Sequence, residues 1–139
     1  INNAGGEWLA GEGLTIAARA LDNTQGGLLY SHKQQRLMLS DALNNRDGKV
    51  QSGEALQLDA QALNNAGGTI DGQQQVTLRI LGLLENTGGA VRGNGGQQVS
   101  AAGINNTRGV FSSRGGITVA SKQLDNAGGT LISQGSGIY

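Results

Sequence analysis

The 139-residue chain has no cysteine and no proline, and its aromatic residues are one Trp, two Tyr and one Phe. Without cysteine there is neither a disulfide framework nor a thiolate metal site. An excess of charge is also lacking, because ten Lys and Arg balance ten Asp and Glu. Nucleic-acid binding and polybasic membrane binding both need a basic surface. We therefore expect no nucleic-acid partner.

Long apolar runs are missing as well. The longest aliphatic stretch covers residues 80–84, whereas a membrane span needs about 20 apolar residues, so we expect no membrane span. Collagen requires glycine at every third position together with abundant proline, and neither is present. Disorder fits poorly, because 37% of the residues are hydrophobic and they recur in register.

Glycine is abundant, with 25 residues, and it belongs to a repeat. Strings such as INNAGG, LNNAGG and LDNAGG recur seven times, with an Asn two residues after the aliphatic position in all seven copies. Successive anchors are about 20 residues apart, and the longest step runs from Asn23 to Asn45. The anchors are Asn3, Asn23, Asn45, Asn65, Asn86, Asn106 and Asn126. We expect one repeat domain over residues 1–139, and a fragment of a longer protein because the chain opens on its own repeated string.

Each repeat continues in the same way after its anchor. A glycine follows, if Gln25 is taken as an insertion, at Gly6, Gly27, Gly48, Gly68, Gly89, Gly109 and Gly129. A large apolar residue comes two positions later, and then an alternating triplet, which is Leu56–Leu58 in the third repeat and Leu37–Leu39 in the second. Only Gln97 breaks the apolar positions of the triplets. Alternation with period two indicates strands, and frequent glycine disfavours helices.

A unit of about 20 residues loses more chain entropy than it gains by burying a few aliphatic side chains, so the units must stack. We predict an all-β parallel β-helix of about seven coils of about 20 residues, with three short strands per coil. A leucine-rich solenoid is the helical alternative, but it needs a longer repeat with a helical segment. Stacking places equivalent residues about 4.8 Å apart. Trp8 and Phe111 then share one column as core fillers, and Ile16 shares another with Leu39.

The anchors predict an asparagine ladder, in which each carboxamide donates to one neighbour and accepts from the other. Such a ladder pairs polar groups that a turn would otherwise leave buried and unsatisfied. We expect the glycine three residues later to supply a positive φ, or a close approach where a Cβ would clash.

Acidic residues do not form a catalytic cluster. A polysaccharide-cleaving β-helix enzyme needs clustered carboxylates, but Asp22, Glu85 and Asp125 share a column and lie several coils apart. The outward pairs Asp71/Arg92 and Asp59/Arg79 are typical of a solvated face. A calcium-binding β-roll needs a recurring nonapeptide, which the stretch 67–72 does not provide. We expect no enzyme activity and no catalytic, cofactor-binding or metal-binding residue.

The second repeat is irregular because its two bounding anchors, Asn23 and Asn45, are further apart than any other consecutive pair. We expect its extra residues within the stretch 30–36 and regard Tyr30, His32, Lys33 and Arg36 as a candidate binding loop for a glycan or receptor. A tolerated change of length is the alternative interpretation. A lone histidine with no neighbouring carboxylate is more typical of a surface position than of a metal ligand.

The segments 63–70 (LNNAGGTI) and 124–131 (LDNAGGTL) carry a family resemblance. They resemble the haemagglutinin repeats of filamentous haemagglutinin and of contact-dependent growth-inhibition stalks, which are two-partner secretion exoproteins of Gram-negative bacteria. The resemblance implies a right-handed parallel β-helix, secretion or display on the cell surface, and a role in adhesion or in carrying a distal tip. Its implied partners are an outer-membrane transporter for the full-length protein and a receptor or glycan on a host or neighbouring cell.

We expect the chain to act first as a structural stalk, about 34 Å long for seven coils. Binding through the loop at 30–36 and polysaccharide cleavage stay as alternatives. Unpaired strand edges at the end coils also predict end-to-end association of the fragment.

Overall fold

The protein is described by a computed structural model over residues 1–135 and 137–139. These residues contain strands and no helix, and nearly all strands pair in parallel with the equivalent strand of the next coil, in a β-solenoid of about six turns. The predicted parallel β-helix is confirmed. The strands are β1 (Glu7–Ala10), β2 (Leu14–Ala18), β3 (Leu21–Asp22), β4 (Leu28–Ser31), β5 (Gln35–Leu39), β6 (Ala42–Asn44), β7 (Lys49–Ser52), β8 (Leu56–Ala60), β9 (Ala62–Asn64), β10 (Thr69–Gly72), β11 (Gln75–Ile80), β12 (Leu83–Glu85), β13 (Ala90–Gly93), β14 (Gly96–Asn105), β15 (Val110–Ser113), β16 (Ile117–Asp125) and β17 (Thr130–Ser133).

Two sheets form the walls of the solenoid. The seven-stranded sheet has the order β1-β4-β7-β10-β13-β15-β17. The ten-stranded sheet has two arms, β2-β5-β8-β11 and β3-β6-β9-β12, which meet at β14, and β16 pairs with β14. Three strands per coil are therefore correct for the first four coils only. In the next two coils the pairing runs on through Ala101–Ser121 and Gly103–Gln123, so one long strand spans both arms.

The core lies between the sheets as columns of aliphatic side chains. One column, from the seven-stranded sheet, contains Leu29, Val50, Ile70, Val91 and Phe111, each at most 2% exposed. This column and the buried position of Phe111 were predicted. Burial of continuous apolar columns is what the isolated coil lacks, and it stabilises the stack.

Two details of the predicted core are wrong. Leu37, not Leu39, lies in register with Ile16 and Leu58, while Leu39 pairs with Ala18. Trp8 lies opposite Leu29 as expected, but it is 37% exposed instead of buried. Its strand is the edge of the seven-stranded sheet, so a neighbouring coil covers Trp8 on one side only.

Candidate functional site: the asparagine ladder and the outer surface

The seven anchor asparagines lie at the turn that leads into the seven-stranded sheet. Nδ2 of each of the first six anchors donates to Oδ1 of the anchor in the next coil, at 2.7 or 2.8 Å, with the same direction throughout. Asn23, Asn45, Asn65, Asn86 and Asn106 are fully buried, Asn3 is 5% exposed, and Asn126 at the last coil is exposed. The carboxamides thus form one unbroken chain of six hydrogen bonds.

The first six anchors also bond to the backbone of the next coil. Nδ2 of Asn23 donates to the Lys49 carbonyl at 3.0 Å, and Nδ2 of Asn65 donates to the Ala90 carbonyl at 3.2 Å. These carbonyls lie at the start of β7 and β13. The anchor therefore pairs polar groups from two coils at once, as buried polar groups require.

The glycines that follow the anchors are needed for close approach. A Cβ on Gly68 would overlap the backbone oxygen of Asn45 and the Oδ1 atom of Asn65, and Gly48 and Gly89 have equivalent neighbours. The left-handed backbone lies one residue earlier, at φ 64° in Gly67 and 56° in Asp47. Of the two roles that we expected for this glycine column, close approach therefore fits the geometry and positive φ does not.

A second polar column lies one residue before the anchors, and only its acidic members Asp22, Glu85 and Asp125 were predicted to share a column. Its members are Asn2, Asp22, Asn44, Asn64, Glu85, Asn105 and Asp125. In six of them Oδ1 accepts the backbone N–H two residues later at 3.0 to 3.3 Å. This contact is an Asx turn, which bends the chain by mimicking a backbone turn. The Asn-Asn and Asp-Asn dipeptides were the signal for it.

The carboxylates of this column have structural partners. The Thr24 hydroxyl donates to Asp22 Oδ1 at 2.7 Å, and the Thr24 N–H donates to the same atom. These two hydrogen bonds, the hydroxyl first, hold the pKa of Asp22 below its ordinary value of 3.8. Glu85 is one methylene longer and instead accepts from the Thr87 hydroxyl. The arrangement positions turns, and it offers no paired carboxylates for acid–base chemistry.

The predicted binding loop at residues 30–36 is not an insertion. Ser31 pairs with Ser52 and Gln35 with Leu56, so the two turns between these pairs have equal length. The position predicted for the two extra residues was wrong, because both lie elsewhere in the coil. Paired residues of the first and second coils are one residue further apart in sequence at Trp8–Leu29 than at Asn2–Asp22. They are one residue further apart again at Leu21–Leu43. One extra residue thus lies in the turn containing Gln25 and the other at residues 40–41.

The four candidate loop residues follow the regular surface of the coil. Tyr30 is half-buried in β4, and the backbone N–H of His32 donates to the Ala10 carbonyl at 2.9 Å. Lys33 Nζ lies 2.5 Å from a Glu12 carboxylate oxygen. Arg36 lies in β5, with Nη2 3.8 Å from Met38 Sδ. Lys33 and Arg36 therefore have different side-chain contacts, Lys33 with Glu12 and Arg36 with Met38.

A model of the haemagglutinin repeat matches residues 1–47, 36–88 and 92–137. The chain belongs to the haemagglutinin-repeat family. No curated protein and no solved structure matched the chain. This family consists of structural, adhesin-type repeats of bacterial exoproteins that are secreted or displayed on the cell surface. The resemblance stated from the sequence is confirmed.

Two glutamines point into the core of this haemagglutinin-repeat chain. Gln35 and Gln97 are at most 2% exposed and share a column with Leu56 and Val76. Nε2 of Gln35 donates to the Gln51 carbonyl at 3.0 Å, and Nε2 of Gln97 donates to the Val91 carbonyl at 3.0 Å. Both amides therefore cross the interior to the facing sheet. The paired Nε2 atom permits Gln97 at an apolar position, whereas the buried Oε1 atoms of Gln35 and Gln97 have no hydrogen-bond partner among the described residues.

The outer faces of the haemagglutinin repeats are polar and mixed in charge. Asp59 and Arg79 pair in register and lie 3.8 Å apart, and Asp71 lies opposite Arg92. Within residues 1–135 and 137–139, no group of three or more His, Asp or Glu side chains is arranged to hold a metal ion. The same residues include no helix able to cross a membrane.

Proposed function

We propose that this chain is a rigid stalk segment that extends a large, secreted or surface-displayed bacterial exoprotein and supports adhesion or delivery by a distal tip. The observation that supports it is the uninterrupted ladder from Asn3 to Asn126, which ties every coil to the next by side chains as well as by backbone. The proposed partner of the full-length protein during export is an outer-membrane transporter.

The geometry of a coil favours stiffness over reach. Six steps of about 4.8 Å give a rod of about 29 Å. Each residue therefore contributes about 0.24 Å of length, whereas an extended chain covers about 3.3 Å per residue. A segment that needed only length would not fold in this way. Each coil adds little length but gives the rod a wide cross-section. The backbone hydrogen-bond ladders around this cross-section resist bending together.

The uses of the polar residues support the same function. Carboxylates that share a column, such as Asp22 and Asp125, accept hydrogen bonds within Asx turns. The candidate binding residues at 30–36 lie at a turn of regular length, so no insertion distinguishes them as a binding loop. A stalk uses all of these residues, and neither binding nor cleavage is needed to explain them.

Force spectroscopy of the chain, held at its two ends, tests the proposal. A stalk resists low force and then lengthens in cooperative steps of about 60 Å per released coil, given about 20 residues at about 3.3 Å each with the small folded length subtracted. We expect Asn65→Ala to lower the unfolding force and Gln57→Ala, an outward control, to leave it unchanged. Smooth extension from the lowest force, as in a flexible linker, would contradict the stalk function.

A further inference from the structure

The bend between the two arms of the ten-stranded sheet forms one edge of the solenoid. Backbone hydrogen bonds align this edge from coil to coil, as in Asp41 N–H to the Arg19 carbonyl at 2.7 Å and Gln61 N–H to the Asp41 carbonyl at 2.8 Å. We call it the corner column. It contains Arg19, Asp41, Gln61, Leu81 with Gly82, Ala102 and Lys122.

Leu81 is an extra residue in the fourth coil. The sequence offset between register partners is one residue greater at Leu84–Leu63 than at Ile80–Ala60, so the insertion lies at residues 81–82. It leaves Leu81 74% exposed, and Leu83 beside it is 50% exposed. A polar residue in this bend would serve the fold equally well, since Gln61 occupies it in the third coil.

The exposure of Leu81 and Leu83 is not an effect of the solenoid ends. The other large exposed hydrophobic residues of the described part of the chain lie in the terminal coils, where a neighbour covers one side only: Ile1, Trp8, Leu9, Leu124, Ile132, Ile138 and Tyr139. Leu81 and Leu83 lie in the middle, with coils on both sides. Exposed Ala102 borders them on one side, and a shallow groove of about 370 Å³ lined by Ala42 and Ala62 borders them on the other. Together they form a central apolar patch, which is typical of a contact surface.

Charges of opposite sign flank the patch symmetrically. Asp41 lies two coils before Leu81 and Lys122 two coils after it, which is about 10 Å in each direction at about 4.8 Å per coil. Both side chains are exposed. Asp41 also lies 3.9 Å from Arg19. Because an exposed ion pair contributes little free energy, this contact does not prevent Asp41 from pairing with another molecule.

This arrangement is complementary to itself when one copy is turned end over end. A two-fold axis at Leu81 places Leu81 against Leu81 and brings Asp41 of each copy to Lys122 of the other, as an isologous interface requires. A parallel arrangement would place like charges together, which is unfavourable. We propose that the corner column binds the corner column of a second copy of this chain in antiparallel orientation. Within the proposed stalk function, this contact joins two stalks that run in opposite directions.

Sedimentation equilibrium on the chain and on charge-reversed variants tests the proposal. The wild type should form a reversible dimer, and Leu81→Ser should weaken it at least about tenfold because the apolar centre is lost. Asp41→Lys alone and Lys122→Asp alone should each weaken it about tenfold, because every substitution acts twice in a symmetric dimer. The double variant Asp41→Lys/Lys122→Asp should restore the wild-type constant to within about threefold.

The matched control is Glu12→Lys, which reverses another exposed acid that forms an ion pair, with Lys33, at a different edge, and it should leave dimerisation unchanged. Thermal melting should show that all variants fold, since every altered side chain is exposed; Leu81→Gln is a second test of the patch. A monomer at every concentration, association that ignores Leu81→Ser, or charge reversals without mutual rescue would overturn the proposal. Force spectroscopy is independent of these outcomes, so the stalk function and the self-association can fail separately.

Discussion

Nδ2 of Asn65 donates to Oδ1 of Asn86 at 2.8 Å, and both side chains are fully buried. Asn65 also accepts from Nδ2 of Asn45 at 2.8 Å. A hydrogen bond that links buried polar groups in series is strengthened by its neighbours, and removing one member leaves two others unpaired. The ladder is therefore a property of the whole stack, which suits a segment whose function is stiffness.

The Asx column predicts different effects of removing and of replacing one side chain. Asn64→Ala should destabilise the fold by about 0.5–1.5 kcal/mol, because the Ala66 N–H loses its acceptor. Asn64→Asp should be nearly neutral, because Asp22 and Asp125 make the same turn. Urea denaturation measures both. Equal losses in the two variants would mean that the Asx turn does not matter.

Glu85 is the member of this column that is too long for an Asx turn. Glu85→Asp should stabilise the protein by up to about 1 kcal/mol, because a shorter carboxylate reaches the Thr87 N–H as Asp22 reaches that of Thr24. The measurement is the urea midpoint, with Glu54→Asp on another turn as the control. A decrease in stability would show that the contact of Glu85 with the Thr87 hydroxyl is the better one.

The two glycine positions of the turn predict different penalties. Gly68→Ala should cost at least about 3 kcal/mol, because its Cβ would overlap the Asn45 backbone and displace the ladder. Gly88→Ala has φ 62° and nothing within 4 Å of the added Cβ, so it should cost only about 1–2 kcal/mol of backbone strain. Gly11→Ala also meets nothing within 4 Å and serves as the control. Similar losses for Gly68→Ala and Gly88→Ala would contradict the close-approach role.

The lowered pKa of Asp22 predicts that the stability of the fold depends on pH in the acidic range. Its pKa is lowered in the folded state, so it stabilises the protein above its ordinary pKa of 3.8, and this contribution is lost as the pH falls through the folded pKa. Thr24→Val removes the hydroxyl donor and should raise the pKa toward the ordinary value. An NMR titration of the Asp22 carboxyl measures the change. Asp22→Asn, which keeps the turn acceptor, should remove this part of the acid dependence, and an unchanged pKa in Thr24→Val would assign the shift to another cause.

The fold was predictable because the repeat keeps its phase. Seven anchors at nearly constant spacing place each residue opposite its equivalent, and this alone aligned Trp8 with Leu29 and Asn65 with Asn86. Whether a column residue is buried depends on how many coils flank it, however. Phe111 and Trp8 obey the same pattern, yet only Phe111 has a coil on both sides.

The register of the second coil was not predictable from its pattern. Leu37 and Leu39 lie two residues apart and both face the core, so the apolar pattern favoured the triplet Leu37–Leu39 over one that begins at the polar Gln35. The correct triplet begins at Gln35, whose burial depends on the Gln51 carbonyl across the core. No feature of the local sequence indicates such a long-range hydrogen bond. The same ambiguity assigned the extra residues to the stretch 30–36. One of them is instead the Gln25 insertion that the glycine column had indicated, and the other lies at residues 40–41.

The ladder itself is tested most directly by chemical denaturation of Asn65→Ala beside Gln57→Ala. Asn65→Ala removes two ladder bonds and the bond to the Ala90 carbonyl, and it leaves buried partners unpaired, so we expect a loss of about 2–4 kcal/mol. Gln57 is half-buried on the outer face, and its Nε2 donates to Asp59 Oδ2, so its replacement should change stability by less than about 0.5 kcal/mol. Equal stability of the two variants would contradict the account of this fold as a stack held in register by its asparagines.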